Sequence, residues 1–145
     1  MTLREVIDRV DDLIPNVYEE SHKVRWISEL DAKIFNEVYM THEDNPYTRE
    51  KPEEEEEENV TYFGDAKKEV KTYLELPYTI NKAAETELLA EFPYDELYVA
   101  FLETKINEYN QETTRYNNSA LKFNGLYNDF VAYYNRTHMP LERGK

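Results

Sequence analysis

The stretch from Pro93 to Arg136, PYDELYVAFLETKINEYNQETTRYNNSALKFNGLYNDFVAYYNR, decides the fold. Wound as one helix at about 100° per residue, it brings Tyr109, Tyr116, Tyr127 and Tyr134 to within roughly 20° of Tyr98, because spacings of seven and eleven nearly close whole turns. Phe101, Leu102, Phe123, Phe130 and Val131 widen that line into an apolar stripe of the kind a helix buries. Beside it, roughly 80–120° around the wheel, runs a ribbon of amides: Asn110, Asn117, Asn124, Asn128 and Asn135. The weak points are Asn117-Asn118-Ser119 and Gly125, and the phase survives both. Periodicity therefore predicts one helix of about forty residues over 95–136, or two nearly coaxial helices.

A helix of that length exposes more side than a chain of 145 residues covers with its own atoms, which calls for a partner, other copies of the chain included. Tyr98, Phe101, Leu102, Tyr109, Phe123, Tyr127 and Phe130 are candidate core on this helix, joined by Leu30 and Ile34 from upstream. The amides Asn110, Asn117, Asn124, Asn128 and Asn135 are candidate subunit contacts, since Asn both donates and accepts and is costly to bury unpaired. A ribbon that only borders the core is the other reading of the same pattern.

Outward from this stretch, the N-terminal part reads as an antiparallel αα-hairpin. Thr2 and Glu5 stand at capping-box spacing, and Leu3, Val6, Ile7, Val10, Leu13 and Ile14 follow at helical spacing. Pro15-Asn16 ends that helix. A second runs from near Ser21 to about Met40, with Val24, Ile27, Leu30, Ile34 and Val38 inward and Trp26, Phe35 and Tyr39 at the flanks. Between the two helical parts, Val70–Leu76 alternates like a strand, and Thr86–Phe92 is its predicted antiparallel partner in a small β-hairpin. The whole is a single domain over 1–145, mainly α, with the N-terminal hairpin packed on the C-terminal helix.

The segment 43–59 is an acidic flexible loop. From His42 to Asn59 there are nine acidic and two basic residues, hence −7, half of the chain's net charge of −14. Like charges at this density repel and solvate. The six glutamates Glu53–Glu58 lack the alternation and glycine turn of a calcium loop, so no metal site is read there.

Composition excludes more than it assigns. The chain has no cysteine, hence no disulfide and no thiol chemistry. No apolar run reaches the length of a membrane span and no signal-peptide core opens the chain, so a soluble protein made in a cytoplasm is expected. With this negative charge and no basic stripe, DNA is not expected as a grasped ligand. No nucleophile elbow, phosphate loop or His-Glu-x-x-His is present, and His22, His42 and His138 sit far apart at element edges. No catalytic, cofactor or metal site is predicted, and an enzyme is the least supported class.

The segment Phe92-Pro-Tyr-Asp-Glu-Leu-Tyr98, with Lys105-Ile106, Arg115-Tyr-Asn-Asn118, Phe123-Asn124 and Tyr133-Tyr-Asn-Arg-Thr-His-Met-Pro140, resembles the small head–tail connector (adaptor, neck) proteins of tailed bacteriophages and prophages of Gram-positive bacteria. The opening from Thr2 to Val10 and the Pro15-Asn16 turn are similar to theirs as well, so the resemblance covers both ends and about two thirds of the chain. The run Glu53–Glu58 departs from it. The resemblance implies a helical virion protein at the head–tail interface, forming a ring (twelvefold in the family) beneath the portal and joining it to the next neck or tail protein. No residue-level site carries over. A long striped helix suits lateral packing in a ring, a strand ribbon suits pairing with a neighbour, and an acidic surface suits a channel through which DNA slides. The rival reading is a non-viral helical interaction module whose acidic loop docks a basic partner.

Overall fold

Thr2 and Glu5 cap each other's backbone: the Thr2 side chain accepts from the Glu5 N–H and the Glu5 carboxylate accepts from the Thr2 N–H, both at 3.2 Å. This start fixes α1, Leu3–Leu13, in a computed structural model that describes residues 1–51 and 71–141. Leu3, Val6, Ile7 and Val10 are buried along one stripe, while Leu13 stays exposed at the end. Helix α2, Glu20–Glu37, buries Val24, Ile27, Leu30 and Ile34 against it, with Trp26 and Phe35 also inside. A single 3-10 turn, Tyr39–Thr41, closes it. The N-terminal αα-hairpin is thus as its pattern predicts.

The C-terminal stretch is two helices, α3 at Glu96–Tyr109 and α4 at Thr113–Thr137. They are not coaxial. The chain turns back at Asn110–Glu112, where Gln111 takes a left-handed φ of 59°. Ring pairs Tyr94–Tyr133 at 5.0 Å and Phe101–Phe123 at 5.2 Å, with an Asn107–Ser119 hydrogen bond of 3.2 Å near the corner, define an antiparallel hairpin. The weak points at 117–119 and Gly125 lie inside α4, which runs unbroken through both. The physical reason is compactness. A straight helix over 95–136 would extend about 60 Å, whereas a fold-back lets each arm bury its stripe on the other. The architecture is two helical hairpins sharing one core, joined by a small strand pair.

That strand pair differs from its expected form. β1, Tyr47–Thr48, and β2, Thr72–Tyr73, are parallel, with Tyr47 opposite Thr72. Thr72 N–H donates to the Pro46 carbonyl and Leu74 N–H to that of Thr48, both at 2.8 Å. The segment from Thr86 pairs instead with the chain's beginning: Leu3 N–H donates to Thr86 and Leu88 N–H to Met1. Leu88, Leu89 and Ala90 are then buried in succession, as in no half-buried strand.

Of segment 43–59, residues 52–59 lie outside the described ones. The described part, 43–51, is anchored. Glu43 N–H donates to the Met139 carbonyl at 2.9 Å, Tyr47 is half-buried with its ring edge-on to Tyr39 at 5.3 Å, and Arg49 donates to the Leu74 carbonyl at 2.6 Å.

Among the proposed core residues, Leu30, Ile34, Tyr98, Leu102 and Phe130 are buried. Phe101, Phe123 and Tyr127 are half-buried along the seam of the second hairpin. Tyr109 is a correction: it is 58 % exposed, because it ends α3 at the corner, and one face of its ring stacks on Trp26 at 5.5 Å.

At the centre lies Asp31, fully buried on α2. Tyr98 and Tyr78 hydroxyls each donate to its carboxylate at 2.5 Å, and Leu89 N–H at 3.3 Å. The Tyr98 oxygen in turn accepts from Ala90 N–H at 2.8 Å. Tyr39 donates to the Leu89 carbonyl at 2.8 Å, and Ser28 accepts from Tyr78 N–H at 2.9 Å. One carboxylate thereby ties α2, α3 and the 78–90 connection together.

Candidate functional site

Two surfaces stand out, one foreseen from the sequence and one not. The first is the outer face of α4. Only Ser119, Phe130 and Tyr134 of its 25 residues are buried. With Phe130 facing the core, Asn117, Leu121, Asn124, Asn128 and Asn135 fall roughly 120–180° away on the wheel, and all five are exposed. Leu121 is 74 % exposed. A Cβ added at Gly125 would meet nothing within 4 Å. From Asn117 the spacing runs 4, 3 and 4 through Leu121, Asn124 and Asn128, the step pattern with which helices mesh. Asn110 belongs elsewhere. It sits at the hairpin corner, where its side-chain oxygen accepts from the Tyr18 hydroxyl at 2.9 Å. The fold-back that separates α3 from α4 removes it from the ribbon.

The second surface is an aromatic cleft at the far end of the helical hairpins, enclosing about 250 Å³. Tyr39, Tyr47, Tyr94, Phe130, Tyr133 and Tyr134 supply its walls, and Asp44, Glu91, Phe92 and His138 complete the lining. The elements meet there because the segment after α4 returns to the end of α2. His42 and Pro140 form an antiparallel bridge, and Leu141 N–H donates to the Thr41 carbonyl at 2.9 Å. His42 is buried, its Nδ1 set 2.6 Å from the Val38 carbonyl it donates to. His138 stacks on Tyr134 at 3.7 Å and approaches Asp44 at 3.6 Å through Nε2.

Tyr134 is the unusual member. It is 4 % exposed, yet its hydroxyl is buried without a hydrogen-bond partner among the described residues. Burial pushes that hydroxyl up to about 12, with a contribution from the Asp44 charge. Burial likewise raises Tyr39 and Tyr47, so these rings stay neutral and their hydroxyls protonated. Glu91 is exposed, and Phe92 is 85 % exposed beside it.

The histidines thus change standing. His42 and His138, at opposite ends of the sequence, lie with ring centroids 6.2 Å apart. His22 remains apart, beside Trp26. Among the described residues no group of three or more His, Cys, Asp or Glu side chains is placed to hold a metal ion, and no helix is long and apolar enough to cross a membrane. The cleft escaped the sequence reading because its walls come from separate segments. The one local hint was the density of aromatics in Phe92-Pro-Tyr94 and Tyr133-Tyr134. Comparison with family models, with curated proteins and with solved structures finds no match.

Proposed function

We propose that this chain is a non-enzymatic assembly protein of the head–tail connector kind, which packs side by side into a ring beneath a portal and joins it to the next neck or tail protein of a virion. The observation that carries the reading is the outer face of α4, where Asn117, Leu121, Asn124 and Asn128 are all exposed while the inner face packs on α3. Helices of globular proteins draw most of their stability from a buried face, which α4 has on its inner side, and its outer strip is left for a neighbour. Its outer strip of Asn117, Leu121, Asn124 and Asn128 has the spacing of a helix-packing seam. Amides there would exchange hydrogen bonds with the same amides of the next copy, while the small Gly125 lets the backbones approach. The net charge of −14 suits a ring whose lumen passes DNA without holding it.

The test is assembly on isolated portal complexes. The wild-type chain should join them as a ring seen by negative-stain microscopy. The double variant Asn117→Asp/Asn124→Asp should not, because like charges repeated around a closed interface repel where they lose water. Its own unfolding free energy should change by less than about 0.5 kcal/mol, as both positions are exposed. Normal assembly of the variant places the ring contacts elsewhere, and a wild-type chain that never joins a portal refutes the connector reading.

A further inference from the structure

The cleft between the end of α2 and the end of α4 has a chemistry that neither the core nor the α4 seam uses. We infer that it is a receptor for an arginine side chain carried by a basic segment of a partner protein.

Four observations converge on that occupant. Tyr47, Tyr94, Tyr133 and Phe92 keep part of their rings exposed at the cleft, and the negative quadrupole of such rings attracts a cation. Two carboxylates, Asp44 and Glu91, belong to the lining, and among the described residues no lysine or arginine lines it. Among the described residues the one ion pair these carboxylates make is that of Asp44 with His138 at 3.6 Å, so a cation entering there meets negative charge. Among the described residues the Tyr134 hydroxyl has no hydrogen-bond partner, and its oxygen is free to accept from a donor that enters the cleft. Finally, about 250 Å³ lies below the range of pockets that hold drug-sized ligands and suits a single side chain.

Guanidinium fits better than ammonium for a geometric reason. Its planar fork can lie flat on one ring while its edges reach two carboxylates, and it sheds water more readily than a lysine head group. Phe92, 85 % exposed at the mouth, covers the alkyl stem of the entering side chain. The chain's net charge of −14 draws a basic segment toward the site from a distance. The proposal goes beyond the ring reading, and its test runs on the free chain without a portal, so either can fail alone.

The experiment titrates the full-length chain at low salt with three probes, followed through the tyrosine and histidine ring resonances. These are acetyl-arginine amide, its uncharged isostere acetyl-citrulline amide, and methylguanidinium. Arginine amide should bind about tenfold more tightly than citrulline amide, the scale of a partly desolvated cation–π contact backed by carboxylates. Methylguanidinium, lacking the stem and backbone, should bind more weakly than arginine amide. Asp44→Asn/Glu91→Gln should cost the arginine amide about tenfold. Phe92→Ala should cost about threefold, and Phe92→Tyr should restore it; being at an exposed position, this pair stays informative if the double variant folds poorly. Equal binding of arginine and citrulline amides overturns the proposal. Methylguanidinium binding as tightly as arginine amide makes the cleft a small-cation site and also overturns it. So does a gain in arginine affinity on Arg143→Gln/Lys145→Gln, which would identify the chain's own tail as the occupant.

Discussion

Replacing Asp31 by asparagine should remove a specific pH dependence of stability. Asp31 is fully buried, and desolvation raises its pKa from 3.8 to about 6, while hydrogen bonds from Tyr78, Tyr98 and Leu89 N–H hold it lower than burial alone would. A carboxyl that binds its proton more tightly when folded than when unfolded stabilises the native state as pH falls. Between pH 3.8 and about 6 the folded chain holds the extra proton, so unfolding free energy decreases as pH rises through that window. The shift of about two units corresponds to about 3 kcal/mol at about 1.4 kcal/mol per unit. Above pH 6 the ionised form is present at its full cost, and below 3.8 that cost is gone.

Other carboxylates titrate in the same range, so the measurement is the difference between wild type and Asp31→Asn. Urea unfolding at pH 4 and at pH 8 gives that difference twice. The wild type should gain about 2.5 kcal/mol of that relative to the variant on going from pH 8 to pH 4. The variant should lose tightness at the Tyr78 and Tyr98 hydroxyls, because an amide nitrogen cannot accept the bond a carboxylate oxygen accepts. A difference constant within about 1 kcal/mol across that range would refute the reasoning. It would mean that Asp31 is either hydrated or so well bonded by its three donors that burial carries no net penalty.

Leu30→Ala, in the shared core, should cost about 2–5 kcal/mol, whereas Phe123→Ala, half-buried at the hairpin seam, should cost about half that; paired urea midpoints check the order, and a larger loss at Phe123 would reverse the core assignment. Gln111→Gly, at the left-handed φ of 59°, should stabilise by about 0.5–1 kcal/mol, read as a raised thermal midpoint; a loss would show that the Gln111 side chain holds the corner. Gel shifts with duplex DNA at about 0.1 M salt should show no complex, since −14 net charge releases few counterions; micromolar binding would contradict a lumen that DNA slides through.

The parts of the fold that were readable in the sequence are those set by local physics. Thr2 and Glu5 are three residues apart, and the bond each makes to the other's backbone depends on nothing distant. The stripes of α1 and α2 are likewise local, and their buried residues are those the spacing selects. The link from Asp31 to Tyr98 is another matter. It spans 67 residues, and an aspartate on the apolar face of α2 carries no sign that Tyr78, Tyr98 and Leu89 will converge on it. The strand pairing failed for a related reason. Alternation in 70–76 describes one segment's shape, while pairing depends on distant segments, here Pro46 and Thr48 beside 72–74 and Met1 and Leu3 beside 86–88.

The corner at Asn110–Glu112 shows why phase alone could not choose between a straight helix and a hairpin. Eleven residues close about three turns, so Tyr98 and Tyr109 on α3 share an angle, as do Tyr116, Tyr127 and Tyr134 on α4. Folding the chain back preserves each arm's periodicity, because each arm still needs one buried face. What changes is which residues share that face. Tyr98 goes to the Asp31 network, Tyr109 to the rim beside Trp26, and Tyr134 to the cleft. Nor does the corner carry glycine or proline: the left-handed residue is Gln111, and Asn110 N–H and Glu112 N–H close the turn onto the Ile106 and Asn107 carbonyls at 2.9 and 3.0 Å. Length holds the information that phase lacks. α3 and α4 run about 21 and 38 Å, and laid end to end they would exceed any core that 145 residues can gather around them. Folded together, α3 and α4 bury their facing stripes on each other and leave Asn117, Leu121, Asn124 and Asn128 exposed on the outer side of α4.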